Sequence, residues 1–129
     1  MKDIVAEWVK QAEEDLKVAE YLLDGGYFRS ACFHSQQSVE KSIKAGLLKE
    51  GWELEKIHTI RRLISICKGY NIHVDIADEE ITFIDSIYKG RYPAETGLLP
   101  LGEPSKKDAE KVLGIAKRIV KGIQEILRG

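Results

Sequence analysis

Residues 30–48 read SACFHSQQSVEKSIKAGLL, and the way this stretch folds decides the architecture. Wound at 100° per residue, it sorts into three faces. Phe28, Cys32, Val39, Ile43 and Gly46 form an apolar stripe. Ala31, Ser35, Ser38, Ser42 and Ala45 form a row of small residues along one flank, where another helix can approach closely. Phe33, Gln36, Gln37, Glu40 and Lys44 occupy the opposite flank, and His34 and Lys41 are expected to point away from the core. The segment therefore reads as a helix over about 27–49, bounded by Gly51.

Gln36, Glu40 and Lys44 climb one edge of that helix at four-residue spacing, where Glu40 and Lys44 can pair. The spacing fits two arrangements. One is a solvated edge carrying a helix ion pair. The other is a polar groove between helices or a subunit interface, which would give the Gln36 amide the partners it needs wherever it is buried.

The same periodicity extends in both directions. Val5, Trp8, Val9, Ala12, Leu16, Ala19 and Leu23 recur at spacings of three and four, predicting a helix over 3–23 that stops at Gly25-Gly26. A short helix is expected from Thr59 to Lys68. Another spans 78–89 with Asp78 as its cap, and the last runs from Lys106 to Leu127. Ser105 and Asp108 have the spacing of a capping box for that last helix. No segment alternates with period two for long enough to be a strand. The expectation is a single all-α domain over residues 1–129, a bundle of about five helices with mostly antiparallel neighbours.

Composition narrows the function. Twenty basic residues against twenty-one acidic leave a net charge of −1, so binding to nucleic acid or a membrane needs a local patch. The charged N-terminal stretch MKDIVAEWVKQAEEDLK has no apolar run resembling a signal peptide or a membrane span. Cys32 and Cys67 lie among apolar residues and read as buried thiols of a reducing, cytoplasmic compartment. A single Asn beside many Lys, Glu and Ile leans toward a thermophilic source.

Three local features bear on chemistry. Glu55-Lys56-Ile57-His58 matches one half of a di-iron Glu-x-x-His motif, but there is no second copy. No metal site or cofactor is expected, and His58 reads as a hydrogen-bonded residue at the start of the third helix. Arg61-Arg62 reads as solvated charge. Lys89-Gly90-Arg91-Tyr92-Pro93 opens the long segment GRYPAETGLLPLGEP, residues 90–104, and places an arginine beside an aromatic ring. Such a pair can hold a phosphate while the ring stacks on a base. It can equally be a helix-terminating turn, with Tyr92 packed on the bundle and Arg91 paired to a carboxylate.

Four stretches, AEEDLKVAEYLL, YFRSACFHSQQSVEKSIKAGLL, HTIRRLI and IDSIYKGRYP, together with the closing amphipathic helix, make the chain resemble a HEPN domain. That resemblance implies an up-and-down antiparallel helical bundle of four long helices plus a short helix, working as a homodimer. It further implies a small nucleotidyltransferase (MNT) partner in a toxin–antitoxin-type module, with a nucleotide or RNA as ligand. Many members are metal-independent ribonucleases using Arg-x(4–6)-His, whose two residues meet at the dimer cleft. Arg91 stands where that arginine is expected. Positions 96, 97 and 98 are Thr, Gly and Leu, however, and no histidine follows.

Arg29 and His34 have the spacing but diverge by about 140° on a regular helix. His58 and Tyr92 are the other candidates to replace the missing imidazole. The sequence thus points to a catalytically impaired, nucleotide- or RNA-associated binding component, with Arg91, Tyr92, Gln36, Glu40, Lys44 and His58 as candidate site residues. The alternatives are a ribonuclease toxin with a divergent site around Arg91, or a structural dimerisation module joined through the small-residue row.

Overall fold

A computed structural model describes residues 3–89 and 103–129, and these form five helices. They are α1 (Asp3–Asp24), α2 (Phe28–Lys49), α3 (Ile60–Gly69), α4 (Asp78–Lys89) and α5 (Lys106–Arg128). All five expected helices are present, with bounds shifted by no more than a residue. Gly26 lies in the α1–α2 connection at φ +85°, and Gly51 follows α2 at φ +96°. Both lie in the left-handed region that glycine adopts without a Cβ clash. Ser105 and Asp108 close the expected capping box: the Asp108 amide donates to Ser105 Oγ, and the Ser105 amide to Asp108 Oδ2.

Side-chain contacts fix the helix directions. Trp8 lies beside Lys44, and Asp15 beside His34 and Lys41, so α1 and α2 are antiparallel. Lys111 covers the Phe83 ring while Arg118 reaches Glu80, so α4 and α5 are also antiparallel. The charge of Asp108 reaches the Cys32 thiol, and a Cβ at Gly46 would meet Ile123, so α2 and α5 run the same way. This is the order α1 up, α2 down, α4 up, α5 down, with α3 inserted as the short element.

α2 is the centre, packing against each of the other four helices. Val39, Ile43 and Leu47 join Ile60, Leu63, Ile84, Val112, Ile119 and Ile123 in one core. Among the described residues, no helix is long and apolar enough to cross a membrane.

The central position of α2 changes two expectations. His34 and Lys41 do not face away from packed structure: Nδ1 of His34 lies 2.9 Å from Asp15 Oδ1, and Lys41 Nζ lies 2.8 Å from Oδ2. That side of α2 is covered by α1, whose Asp15 is itself buried. The small-residue row Ala31, Ser35, Ser38, Ser42 and Ala45 is likewise buried within one protomer. It is used by intramolecular packing, so it cannot also serve as the surface of a dimerisation module.

A third correction concerns α4. Asp78 is its first helical residue, with its carboxylate on Arg61 at 2.7 Å, while Glu80 Oε1 accepts from the Ala77 amide.

Candidate functional site

The Gln36–Glu40–Lys44 flank is not a solvated edge. Gln36 is fully buried, and Glu40 and Lys44 are 4% and 3% exposed. Two opposite charges out of water persist only where hydrogen bonds complete the pair. Here Lys44 Nζ donates to Glu40 Oε2 at 3.0 Å, and lies 5.7 Å from the centre of the Trp8 ring. Gln36 Nε2 reaches Glu40 Oε1 at 3.4 Å, and Gln37 Nε2 donates to Gln36 Oε1 at 2.7 Å. Gln36, Gln37, Glu40 and Lys44 thus form a hydrogen-bonded network along α2, while the buried Ser35 Oγ next in sequence to Gln36 has no partner among the described residues.

His58 brings this network to the surface. The Gln36 amide also donates to the His58 carbonyl at 3.2 Å, and Nδ1 of the ring lies 3.2 Å from Glu40 Oε2. Backbone and ring are both tied to α2, although His58 belongs to the connection before α3. With its proton on Nδ1 donated to Glu40, the imidazole keeps Nε2 free of that bond. The side chain is 45% exposed, so the ring can meet a ligand. One ring face stacks on Tyr88 of α4, with centroids 5.3 Å apart and planes inclined by 16°.

Asp85, one turn before Tyr88, sets the position of α3. Its Oδ1 accepts from the Ile60 amide at 2.6 Å and its Oδ2 from the Arg61 amide at 3.1 Å. A carboxylate at a helix N-terminus satisfies orphan donors and complements the positive end of the dipole. Thr59, the residue in the N-cap position, makes no capping bond. α4 therefore caps α3, and the start of α3 carries His58 to Glu40.

The structure brings together four of the six expected site residues: Gln36, Glu40, Lys44 and His58. Arg91 and Tyr92 lie outside the described residues. Sequence reasoning missed Trp8, Tyr88 and Asp85 as neighbours of this cluster. Trp8 reads as a member of the first helix's apolar stripe, and nothing local marks Tyr88 as a neighbour of His58 or Asp85 as the cap of another helix. Glu55, the other end of the Glu-x-x-His match, is exposed in the connection. Among the described residues no three His, Cys, Asp or Glu side chains converge as metal ligands.

Comparisons with known proteins place the chain in a family and match its fold. The model of the HEPN domain matches residues 5–126. A protein of Methanocaldococcus jannaschii named "Putative toxin MJ1304" is 33% identical over 137 aligned positions, covering 94% of this chain and 86% of that protein. The crystal structure of ST0689, described as an archaeal HEPN homologue, is 33% identical with a TM-score of 0.70, covering 97% of this chain and 98% of its own. A HEPN domain protein of Thermotoga maritima, tm0613, has a TM-score of 0.71 at 23% identity, covering 95% of this chain and 98% of its own. At that identity the likeness concerns the fold alone.

Proposed function

The chain belongs to the HEPN domain family, and from that premise we propose that it is the nucleotide- or RNA-associated binding component of a toxin–antitoxin-type pair whose other member is a small nucleotidyltransferase (MNT). The observation carrying this reading is the His58 ring, fixed by buried Glu40 and stacked on Tyr88, with its side chain 45% exposed. An oriented imidazole that carries a proton on both nitrogens can donate from Nε2 to a phosphate oxygen, and an adjoining aromatic can stack on a base. Arg91 and Tyr92 follow Tyr88 by three and four residues in sequence, and their side-chain types, a planar guanidinium and an aromatic ring, suit the same ligand. The toxin name of the Methanocaldococcus jannaschii relative supports the module.

In this reading the Arg-x(4–6)-His reaction is impaired. No histidine follows Arg91, and a missing proton-transfer group costs about 10²–10⁴-fold in rate. The protein acts as a homodimer, so light scattering should give about twice the chain mass of 14.6 kDa. It copurifies with the nucleotidyltransferase of its own module when the two are coexpressed.

Titration of the purified chain with a mononucleotide and with an RNA oligomer tests the binding claim. Arg91→Ala and His58→Ala should each weaken binding by roughly 1.5–3 kcal/mol, the range for a hydrogen bond to a charged group. Absence of binding in the parent removes the reading.

A second reading is favoured by one specific contact. The Glu40–His58 pair has the form of a carboxylate-oriented general base. A ribonuclease toxin using His58 in place of the missing histidine would cleave RNA without metal. Cleavage abolished by His58→Asn would promote this reading over the first.

A further inference from the structure

We propose that the cavity bounded by α3, residues 72–76 and the start of α4 is a binding site for a short-chain aliphatic carboxylate. The proposal is independent of the nucleotide- or RNA-binding reading above.

The connection after α3 builds one wall of the cavity. Asn71 turns the chain at φ +57°, and the Ile72 amide donates to the Cys67 carbonyl at 3.0 Å. Ile72, Val74 and Ile76 then pack on the core at alternate positions, while His73 and Asp75 stay exposed. Two further contacts hold this segment. Arg118 Nε donates to the Asp75 carbonyl at 3.2 Å, and the Ala77 amide donates to Glu80 Oε1 at 2.9 Å. The wall is therefore fixed in advance, and a ligand need not order it on binding.

The lining divides into an aliphatic part and a cationic part around a volume of about 380 Å³. Ile64, Ile72, Val74, Ile76 and Ile81 supply the first, and three of them are only half-buried by the core. An alkyl chain would remove that remaining apolar surface from water. The exposed Lys68, His73 and Ser65 line the same cavity, with Arg61 and Asp78. Arg61 and Asp78 hold each other at 2.7 Å, so the one acid on the lining is already neutralised. The nearby acids Asp75 and Glu80 face Arg118 instead, at 3.7 and 2.6 Å. The Lys68 ammonium and the His73 imidazole have no hydrogen-bond or ion-pair partner among the described residues. Aliphatic side chains beside an uncompensated cation and a ring N–H complement an alkyl carboxylate.

Size and lining select among anions. Five branched aliphatic side chains with no Phe, Tyr or Trp give a nucleobase nothing to stack on. Small-molecule sites run from about 300 to 1,000 Å³. This cavity lies at the small end of that range, too small for a long-chain lipid or a helix of another protein.

Calorimetric titration of the full chain with butyrate, hexanoate and octanoate tests this. Affinity should rise about fourfold per added methylene, the fold-change for about 0.8 kcal/mol per buried CH₂. Octylamine, with the same chain and the opposite charge, should bind about tenfold more weakly than octanoate. Lys68→Ala should weaken octanoate about fivefold, the upper end for an exposed ion pair, and Lys68→Arg should retain it. Ser65→Trp, which fills the cavity with an indole, should remove binding. Both positions are exposed, so the fold survives these changes. Saturating UMP should leave octanoate affinity unchanged.

Absence of octanoate binding, or affinity that stays flat along the series, overturns the site. So does equal binding of octylamine. Octanoate affinity untouched by Lys68→Ala or by Ser65→Trp would place the acid elsewhere on the chain. Displacement by UMP would return the anion to the nucleotide site. Tighter binding of a peptide with a C-terminal leucine than of octanoate would give the cavity to the carboxylate of a partner protein instead.

Discussion

Asp85 on α4 caps α3 through Ile60, accepting the Ile60 amide proton across 2.6 Å in the buried interior. Helices usually bring their own cap; this one is held by a neighbour, so the position of α3 is coupled to α4 and with it the position of His58. Removing the carboxylate orphans two backbone donors. Asp85→Ala should cost about 2 kcal/mol in urea unfolding, toward the upper end for a lost cap. Thr59→Ala should cost less than about 0.5 kcal/mol in the parent, where the hydroxyl makes no capping bond, but about 1 kcal/mol more once Asp85 is gone and Thr59 can take over. Additive costs would contradict this account.

Lys44 and Glu40 give a test of burial against solvation. An exposed i,i+4 pair contributes at most about 0.5 kcal/mol. At 3% and 4% exposure, removing Lys44 leaves the buried Glu40 charge with only the Gln36 and His58 contacts, so Lys44→Ala should cost about 3 kcal/mol. The double variant Glu40→Gln, Lys44→Met removes both charges and should recover most of that loss. Denaturant midpoints of the three proteins decide the matter.

Glu80 links the fold to acid. Burial pushes its carboxyl up, but the Ala77 amide and the Arg118 guanidinium outweigh that and hold it below the ordinary value of 4.5. The group binds a proton less readily in the folded state than in the unfolded one. Its stabilising contribution is therefore full above about pH 4.5 and is lost as pH falls through the lowered folded value. Thermal unfolding between pH 3 and pH 7 should show a shallower acid decline in Glu80→Gln than in the parent.

Cys32 and Cys67 should be inert in the native protein. Burial pushes the Cys32 thiol up to about 12, helped by the charge of Asp108, and burial pushes Cys67 up to about 11. The thiolate is the reactive form. At pH 8 a disulfide reagent should label neither cysteine until denaturant is added, and then label both. Rapid labelling of the folded chain would show that one of them is reached by solvent.

The helices were legible because each rests on local signals. Glycines at 25, 26 and 51 stop α1 and α2, the Ser105–Asp108 box starts α5, and the three- and four-residue spacing of Val5, Ile43 or Ile119 marks the inward faces. Burial on the second side of α2 left no such signal. A helix projection orients residues about their own axis and cannot say how many neighbours surround that axis. Seen along its own sequence, α2 has a core side and an outer side; in the bundle α1 covers the outer side, and Asp15 gathers His34 and Lys41.

For the candidate site, the sequence by itself determined that Gln36, Glu40 and Lys44 share one flank, because residues four apart on a helix must. It also determined that no histidine follows Arg91. Only the tertiary structure decided that this flank is buried, that His58 closes on Glu40 from eighteen residues away, and that Tyr88 lies against its ring. Those contacts join the start of α3, α2 and α4. Their existence depends on how far each helix is displaced and rotated against the next, and that is set by packing summed over the whole core.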